Sequence, residues 1–182
     1  MSDAQALTGS IASSHVIKWL RAWYSEGMPD AIDLEIVRQM LPSTPYGAGV
    51  REIKPPVEII GDAFEGMLAR DPDDHAVWGI AYNGKARGER QRFTIAHELG
   101  HFILHRSQKQ SFNCDSQSVH TGIDGLRQIE READEFASNL LMPGDLLREW
   151  ISNQRIDLHV LSAIAKRFQV SFEACKRRPF PP

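Results

Sequence analysis

The sequence predicts an α+β fold that combines a small antiparallel sheet with several helices. Some segments carry apolar residues at the three-to-four-residue spacing of a helix, and shorter segments between them have the composition of strands. The chain has 182 residues, of which 42% are hydrophobic and 25% charged. This length and composition are enough for one domain with a sizeable core.

Residues 1–13 are expected to be disordered. The N-terminal part of the domain spans about residues 14–56, and two helices are predicted within it. An apolar stripe marks the first helix and is formed by Val16, Trp19, Leu20 and Trp23. Asp30 is expected to cap the second helix, which ends before Pro42. Residues 42–56 hold four prolines and two glycines and are predicted to form a loop.

The sheet is predicted in the central part of the chain, at about residues 57–143. Its strands are expected around residues 57–60, 66–70 and 76–83, and the turn signal Asp71-Pro72-Asp73-Asp74 separates the last two. Helical spacing then predicts two long helices, at about residues 90–106 and 125–141.

The polar segment between these helices, residues 107–124, shows no apolar pattern and is expected to be a loop. It serves either as a lid over a substrate or as a plain connection. Short helices are predicted over a C-terminal part at about residues 144–178, followed by a tail at residues 179–182. Residues 14–178 are thus expected to form one domain.

Composition and charge exclude several classes of protein. The net charge of −3 gives no electrostatic footprint for nucleic acid, and no run of 18 apolar residues predicts a membrane span. The N-terminus lacks the basic and apolar regions of a signal peptide, and only two cysteines occur. We therefore expect a cytoplasmic protein with neither nucleic acid nor membrane as a direct partner. The sequence makes no prediction of oligomeric state.

The most informative residues are His97-Glu98-Leu99-Gly100-His101. Two histidines four residues apart lie on one face of a helix, where both imidazoles can bind one Zn²⁺. Glu98 stands next to the first histidine and can take a proton from water. The spacing therefore predicts a zinc site with His97 and His101 as ligands and Glu98 as the catalytic residue.

A hydrolytic zinc site needs a third protein ligand. His105 continues the same helix face but lies about 12 Å from His97 along the axis, which is too far for one ion. It is expected to complement the dipole at the end of the helix. The following helix offers Glu130 as the ligand, with Asp134 orienting a ligand imidazole. Glu132 is the alternative ligand if that helix is rotated.

The run from Glu89 to His101, residues 130–137 and Leu140-Leu141-Met142-Pro143 together resemble the ImmA/IrrE family of zinc metallopeptidases. The resemblance extends over roughly residues 60–178. It implies a zincin-like fold of the gluzincin type, with the sheet packed on an active-site helix. It further implies a cytoplasmic peptidase that cleaves an Xre-type helix-turn-helix repressor, a protein substrate, and so relieves repression.

The expected reaction is hydrolysis of a peptide bond by water, with Glu98 moving the proton. Candidate donors to the oxyanion, each also open to a structural role, are Tyr82, Arg92, His105 and His120. Residues 76–83 are expected to pair with the substrate backbone as an added strand.

Two other functions stay open. Residues 157–176 have the texture of a helix-turn-helix followed by basic residues, which is typical of a DNA-binding regulator; packing of these helices on the core is the other interpretation. A scaffold that binds the repressor without cutting it is the third function, although the intact Glu98 argues against it.

Overall fold

The computed structural model describes residues 7–62, 64–115, 124–151 and 155–178. The helices are α1 Gly9–Trp23, α2 Leu34–Met40, α3 Glu89–Leu104, α4 Asp124–Leu141, α5 Gly144–Ile151, α6 Leu158–Phe168 and α7 Phe172–Arg177. The strands are β1 Glu52–Ile53, β2 Val57–Ile59, β3 Phe64–Arg70, β4 Val77–Asn83 and β5 Ser111–Asp115. This mixture confirms the predicted α+β class.

The strands form one sheet in the order β1-β4-β3-β5, with β2 also pairing with β4. β3 is antiparallel to both β4 and β5, as the prediction of an antiparallel sheet requires. The two short strands β1 and β2 run parallel to β4 instead, which the sequence analysis did not predict. β2 is parallel to β4 because the chain reverses at β3 and reverses again before it enters β4.

The turn between β3 and β4 forms where the sequence predicts it. The Asp71 carboxylate accepts hydrogen bonds from the backbone N–H groups of Asp73 and Asp74, at 3.0 and 3.3 Å. Such a contact from a side chain to the backbone two residues on is the usual way in which aspartate stabilises a turn. Lys54 binds the other oxygen of Asp71 at 2.7 Å, which ties the loop before β2 to this turn.

Residues 76–83, which were expected to pair with the substrate, do not form an edge of the sheet. β4 is flanked by β3 on one side and by β1 and β2 on the other, so residues 76–83 cannot accept a substrate strand. That prediction is wrong. Among the described strands, the edge next to β3 is formed by β5, which lies within the polar segment that was expected to be a loop. Residues 116–123 lie outside the described residues.

Helix α3 packs on the sheet, and most of its residues are buried in the core. Trp78 of β4 meets Phe102 edge-on with ring centroids 5.9 Å apart, and Leu99 is fully buried. Helix α4 packs closely on α3 because Gly100 has no side chain: a Cβ there would lie 3.2 Å from the Cα of Ala133. No helix in the described part of the chain is both long enough and apolar enough to cross a membrane.

Helix α1 begins earlier than predicted. The Thr8 hydroxyl accepts a hydrogen bond from the N–H of Ile11 and caps the helix, so residues 9–13 are helical rather than disordered. The expected disorder of residues 1–6 falls outside the described residues.

Helix α2 is capped by Asp33, whose carboxylate accepts from the N–H of Glu35, and not by Asp30. Asp30 forms an ion pair with Arg167 at 2.9 Å.

The C-terminal helices pack on the core. Ile164 and Phe168 of α6 and Cys175 of α7 are fully buried. Arg167 pairs with Asp30, and Arg178 donates to the carbonyl of Met142 at 3.3 Å. These contacts favour a packing role for residues 157–176 over DNA recognition, because the buried face and two of the basic side chains are already used within the chain. The predicted tail, residues 179–182, lies outside the described residues.

Candidate active site

Helix α3 places His97, Glu98 and His101 in the interior of the protein. His97 is 7% exposed, and Glu98 and His101 are fully buried. The two imidazoles stand one helical turn apart, and their Nε2 atoms are separated by 2.9 Å. Two nitrogens that converge in this way share one small volume, as two ligands of a single ion do.

Helix α4 brings a carboxylate to the same volume. The two oxygens of Glu130 lie 3.2 Å from Nε2 of His97 and 3.4 Å from Nε2 of His101. One ligand atom from each of the three residues lies within 4.8 Å of the other two. Ligands held at about 2.1 Å in a tetrahedron are about 3.4 Å apart, so this set of two nitrogens and one oxygen fits a metal ion such as Zn²⁺.

The electrostatic setting keeps these groups in the forms that bind metals. Burial, the largest effect, lowers the pKa of His101 from 6.5 to about 4, so its imidazole is neutral at neutral pH. Burial raises the pKa of Glu130, but hydrogen bonds with His101 and His97 outweigh it and lower that pKa below the ordinary value of 4.5. A neutral imidazole and a charged carboxylate are the states in which these side chains act as ligands.

The carboxylate of Glu98 lies against strand β3 at Gly66. A Cβ added to Gly66 would lie 2.6 Å from Oε1 of Glu98 and 2.5 Å from Cγ2 of Thr94, closer than such atoms can approach. Glycine therefore creates the space that Glu98 occupies. Gly66 was not among the predicted site residues, although a glycine inside a predicted strand is a signal of close approach by another group.

Each histidine has a polar contact on its other ring nitrogen. Nδ1 of His97 lies 2.8 Å from Oδ1 of Asp134, the contact proposed for Asp134 from the sequence. Nδ1 of His101 lies 3.1 Å from Nδ1 of His105, and Nε2 of His105 lies 3.0 Å from Oε2 of Glu132. Glu132 thus contacts His105, and it is Glu130 that reaches the imidazoles of His97 and His101.

An aromatic ring covers His101 from the sheet side. Phe112 of β5 stacks on the imidazole of His101 with ring centroids 4.8 Å apart and an angle of 13° between the planes. Phe112 was not among the predicted site residues, because a single apolar residue in a polar segment carries no recognisable pattern.

The candidate oxyanion donors are dispersed. Arg92 donates to the carbonyl of Ile32 at 2.9 Å and so anchors the N-terminal segment on α3. Burial lowers the pKa of its guanidinium. His105 stands behind the ring of His101, on the side away from Glu130. Tyr82 pairs with Gly66 across β3 and β4, and such partners share a face of the sheet. Tyr82 is therefore on the face that meets Glu98.

His120, the fourth candidate oxyanion donor, lies outside the described residues.

A cavity of about 900 Å³ reaches the surroundings of His97, although none of the three converging side chains lines it. Its lining includes Phe93 and Asp134, which flank His97, together with Arg90 and Arg131. The cavity is large enough for several residues of an extended peptide.

Comparison with known proteins adds to this geometry. Residues 58–179 match the model of a peptidase family described as the IrrE N-terminal-like domain. The chain belongs to this family. The match confirms the resemblance drawn from the sequence, and it covers the sheet from β2 onward, the three converging side chains and the C-terminal helices.

Two curated relatives of the family have similar sequences. The chain is 34% identical over 106 residues to the radiation response metalloprotease IrrE of Deinococcus radiodurans, an alignment that covers 57% of this chain and 30% of that protein. It is 35% identical over 104 residues to the protein of the same name from Deinococcus deserti, covering 57% and 35%. The aligned region spans about a third of the length of these relatives.

Proposed function

We propose that this protein is a zinc-dependent endopeptidase that hydrolyses a peptide bond in a protein substrate. The observation that carries the proposal is the convergence of His97, His101 and Glu130 on one volume next to the buried Glu98. Two imidazoles and one carboxylate are the ligand set of a hydrolytic zinc site that leaves one position open.

Bound Zn²⁺ supplies Lewis-acid activation of water and of the scissile carbonyl. Glu98 accepts a proton from the attacking water and delivers it to the nitrogen of the leaving amine as the C–N bond breaks. The Tyr82 hydroxyl is the candidate donor to the oxyanion, because Tyr82 is on the sheet face that meets Glu98. Asp134 holds the imidazole of His97 in position.

The edge of the sheet gives the substrate a place to bind. Among the described strands, β5 is the edge strand on the side of β3, and its Phe112 contacts His101. An extended peptide can add to this edge through backbone hydrogen bonds, which fixes its position without reading its side chains. β5 replaces β4 in this role.

The proposed target is an Xre-type helix-turn-helix repressor, cleaved in the cytoplasm so that repression is relieved. Family resemblance supports this target, and the low cysteine content supports the location. The same family membership and the ligand set support zinc as the metal.

The first experiment is native mass spectrometry of the purified protein, before and after chelation, beside two variants. We expect one zinc ion in the wild type, one zinc ion in Glu98→Gln and none in His101→Ala. Absence of bound metal after repletion with zinc would reject the proposed enzyme and favour a binding scaffold.

Activity is then measured on a quenched fluorescent peptide library and on a panel of purified Xre-type repressors. Wild-type protein with zinc should cut at least one repressor, and Glu98→Gln should cut neither substrate while retaining zinc. Cleavage of peptides without cleavage of any repressor would keep the endopeptidase and reject the target class.

A further inference from the structure

We infer that His105 and Glu132 position His101 through two consecutive hydrogen bonds that fix the tautomer of this imidazole. The inference rests on the proposed function, because it assigns a role at the same metal site. His105 and Glu132 are positioning residues here, since they act on the metal through His101.

The contacts form an unbroken chain from the ligand to a carboxylate. Nδ1 of His101 lies 3.1 Å from Nδ1 of His105, and Nε2 of His105 lies 3.0 Å from Oε2 of Glu132. Gln128 donates to the other oxygen of Glu132 at 2.9 Å. Each member is therefore held by the next one, and the chain ends on a group that only accepts.

The positions of the protons follow from the chemistry of imidazole. The Nε2 atom of His101 faces Glu130 and His97, and a nitrogen that binds a metal carries no hydrogen. Neutral His101 must then carry its hydrogen on Nδ1 and donate it to Nδ1 of His105. His105 in turn carries its hydrogen on Nε2 and donates it to Glu132. Metal binding through Nε2 of His101 is compatible with only this placement of the two hydrogens.

The charge of Glu132 fits the end of such a chain. Its two oxygens each meet a donor on this side of the protein: Oε2 lies 3.0 Å from Nε2 of His105, and Oε1 accepts from Nε2 of Gln128 at 2.9 Å. The carboxylate therefore accepts at both oxygens. It stabilises the positive charge that His101 gains when its lone pair is donated to a metal.

The contact behind His101 is more buried than the contact behind His97. The side chain of His105 is 1% exposed, whereas that of Asp134 is 58% exposed. Water can replace an exposed carboxylate as the partner of His97, but it has little access to the space between His101 and Glu132. We therefore expect loss of the His105 acceptor to weaken metal binding more than loss of Asp134.

A purely space-filling role for His105 predicts a different response to substitution. The amide oxygen of asparagine stands near the position of Nδ1 in histidine and can accept from His101, whereas phenylalanine fills the space but cannot accept. Under the positioning role, His105→Phe loses zinc affinity and His105→Asn keeps most of it. Under a space-filling role, the ranking is reversed.

The first test uses the wild-type protein loaded with zinc and labelled with ¹⁵N at histidine. Nuclear magnetic resonance distinguishes protonated from unprotonated ring nitrogens. We expect hydrogen on Nδ1 of His101 and on Nε2 of His105. A hydrogen on Nδ1 of His105 would overturn the inference, since the two Nδ1–H groups would then face each other.

The second test measures zinc affinity by competition with a chromophoric chelator, and the visible spectrum of the Co²⁺-substituted protein. His105→Phe and Glu132→Gln should weaken zinc binding by about 10- to 100-fold and change the Co²⁺ spectrum, while His105→Asn should stay within a few-fold of wild type. The matched controls are His159→Phe and Glu26→Gln, at exposed positions, and should leave both readouts unchanged.

The outcomes separate the two proposals. A wild type that binds no zinc rejects the proposed function. A wild type that binds zinc through His101, with unchanged affinity in His105→Phe or equal losses in His105→Phe and His105→Asn, rejects only the positioning chain.

Discussion

The ring of Phe112 lies flat against the imidazole of His101, with centroids 4.8 Å apart and planes 13° from parallel. This contact joins β5, the edge strand among the described strands, to the helix that carries the proposed ligands His97 and His101. It excludes water from one face of His101 and holds the ring plane that directs Nε2 toward Glu130. The edge strand is therefore part of the proposed metal site as well as a candidate surface for substrate.

Replacing Phe112 with leucine should weaken both stability and zinc affinity. Leucine keeps an apolar side chain but removes the stacked ring, a contact worth about 0.5–1.5 kcal/mol beyond burial. We expect urea unfolding to show a loss of this size, and chelator competition to show up to about tenfold weaker zinc binding. Phe172→Leu is the control, since Phe172 is exposed on α7. Equal effects at the two positions would contradict the prediction.

Replacing Gly66 with alanine should abolish cleavage without removing the metal. The new Cβ would lie 2.6 Å from Oε1 of Glu98, so the carboxylate must move from the position in which it accepts the proton. We expect the cleavage rate to fall by about 100-fold or more, the size of a general base contribution, with one zinc ion still bound.

The matched control for Gly66 is Gly79→Ala in the neighbouring strand, where an added Cβ meets no atom within 4 Å. This variant should cleave at the wild-type rate. A fully active Gly66→Ala protein would contradict the proposed position of Glu98 during catalysis.

Replacing Gly100 with alanine should destabilise the contact between α3 and α4. The added Cβ would lie 3.1 Å from Cδ1 of Phe136 and 3.2 Å from the backbone of Ala133. Overpacking costs about 1–3 kcal/mol, which exceeds the gain of up to about 1 kcal/mol from the helix propensity of alanine. Urea unfolding should give a net loss of up to about 2 kcal/mol.

Gly125 in the first turn of α4 is the control for Gly100, because an added Cβ there meets nothing within 4 Å. Gly125→Ala should leave stability unchanged or raise it by up to about 1 kcal/mol. A stabilising effect at both positions would show that the two helices separate at no cost.

The metal-free protein should lose stability as the pH falls from about 6.5 to about 4. Burial lowers the pKa of His101 to about 4, so the unfolded chain binds a proton in this window that the folded chain does not. One such group gives a slope of up to about 1.4 kcal/mol per pH unit. The lowered pKa of Glu130 extends the loss below pH 4.5.

The check on this pH dependence is urea unfolding of the metal-free protein at several pH values, beside His101→Gln. The variant lacks the titrating imidazole and should show a smaller slope between pH 6.5 and pH 4.5. A midpoint that does not change over this range in the wild type would contradict the prediction.

Local pattern was sufficient to predict α3 and α4, because their apolar residues repeat along the helix itself. It could not predict β5, in which Phe112 is anchored by pairing with β3 and not by its sequence neighbours. Pattern also identified β4 as a strand without showing that strands flank it on both sides. Pairing partners are set by contacts distant in sequence, which periodicity does not reveal.

The same limit applies to the site. The spacing of His97 and His101 follows from helix geometry alone and could be predicted. The choice between Glu130 and Glu132 depends on the rotation of α4 against α3, which only packing decides. The distance argument that removed His105 from the candidate ligands gave no information on the contact between His105 and His101.

Helix α1 precedes the residues that match the family, yet it packs against the site. Gly9 approaches α4 so closely that a Cβ there would lie 2.3 Å from the carbonyl oxygen of Glu132 and 2.7 Å from the backbone nitrogen of Phe136. A chain shortened to residues 58–179 would expose this part of α4 to water. The residues that match the family model, 58–179, are therefore fewer than the residues that pack together in the folded protein.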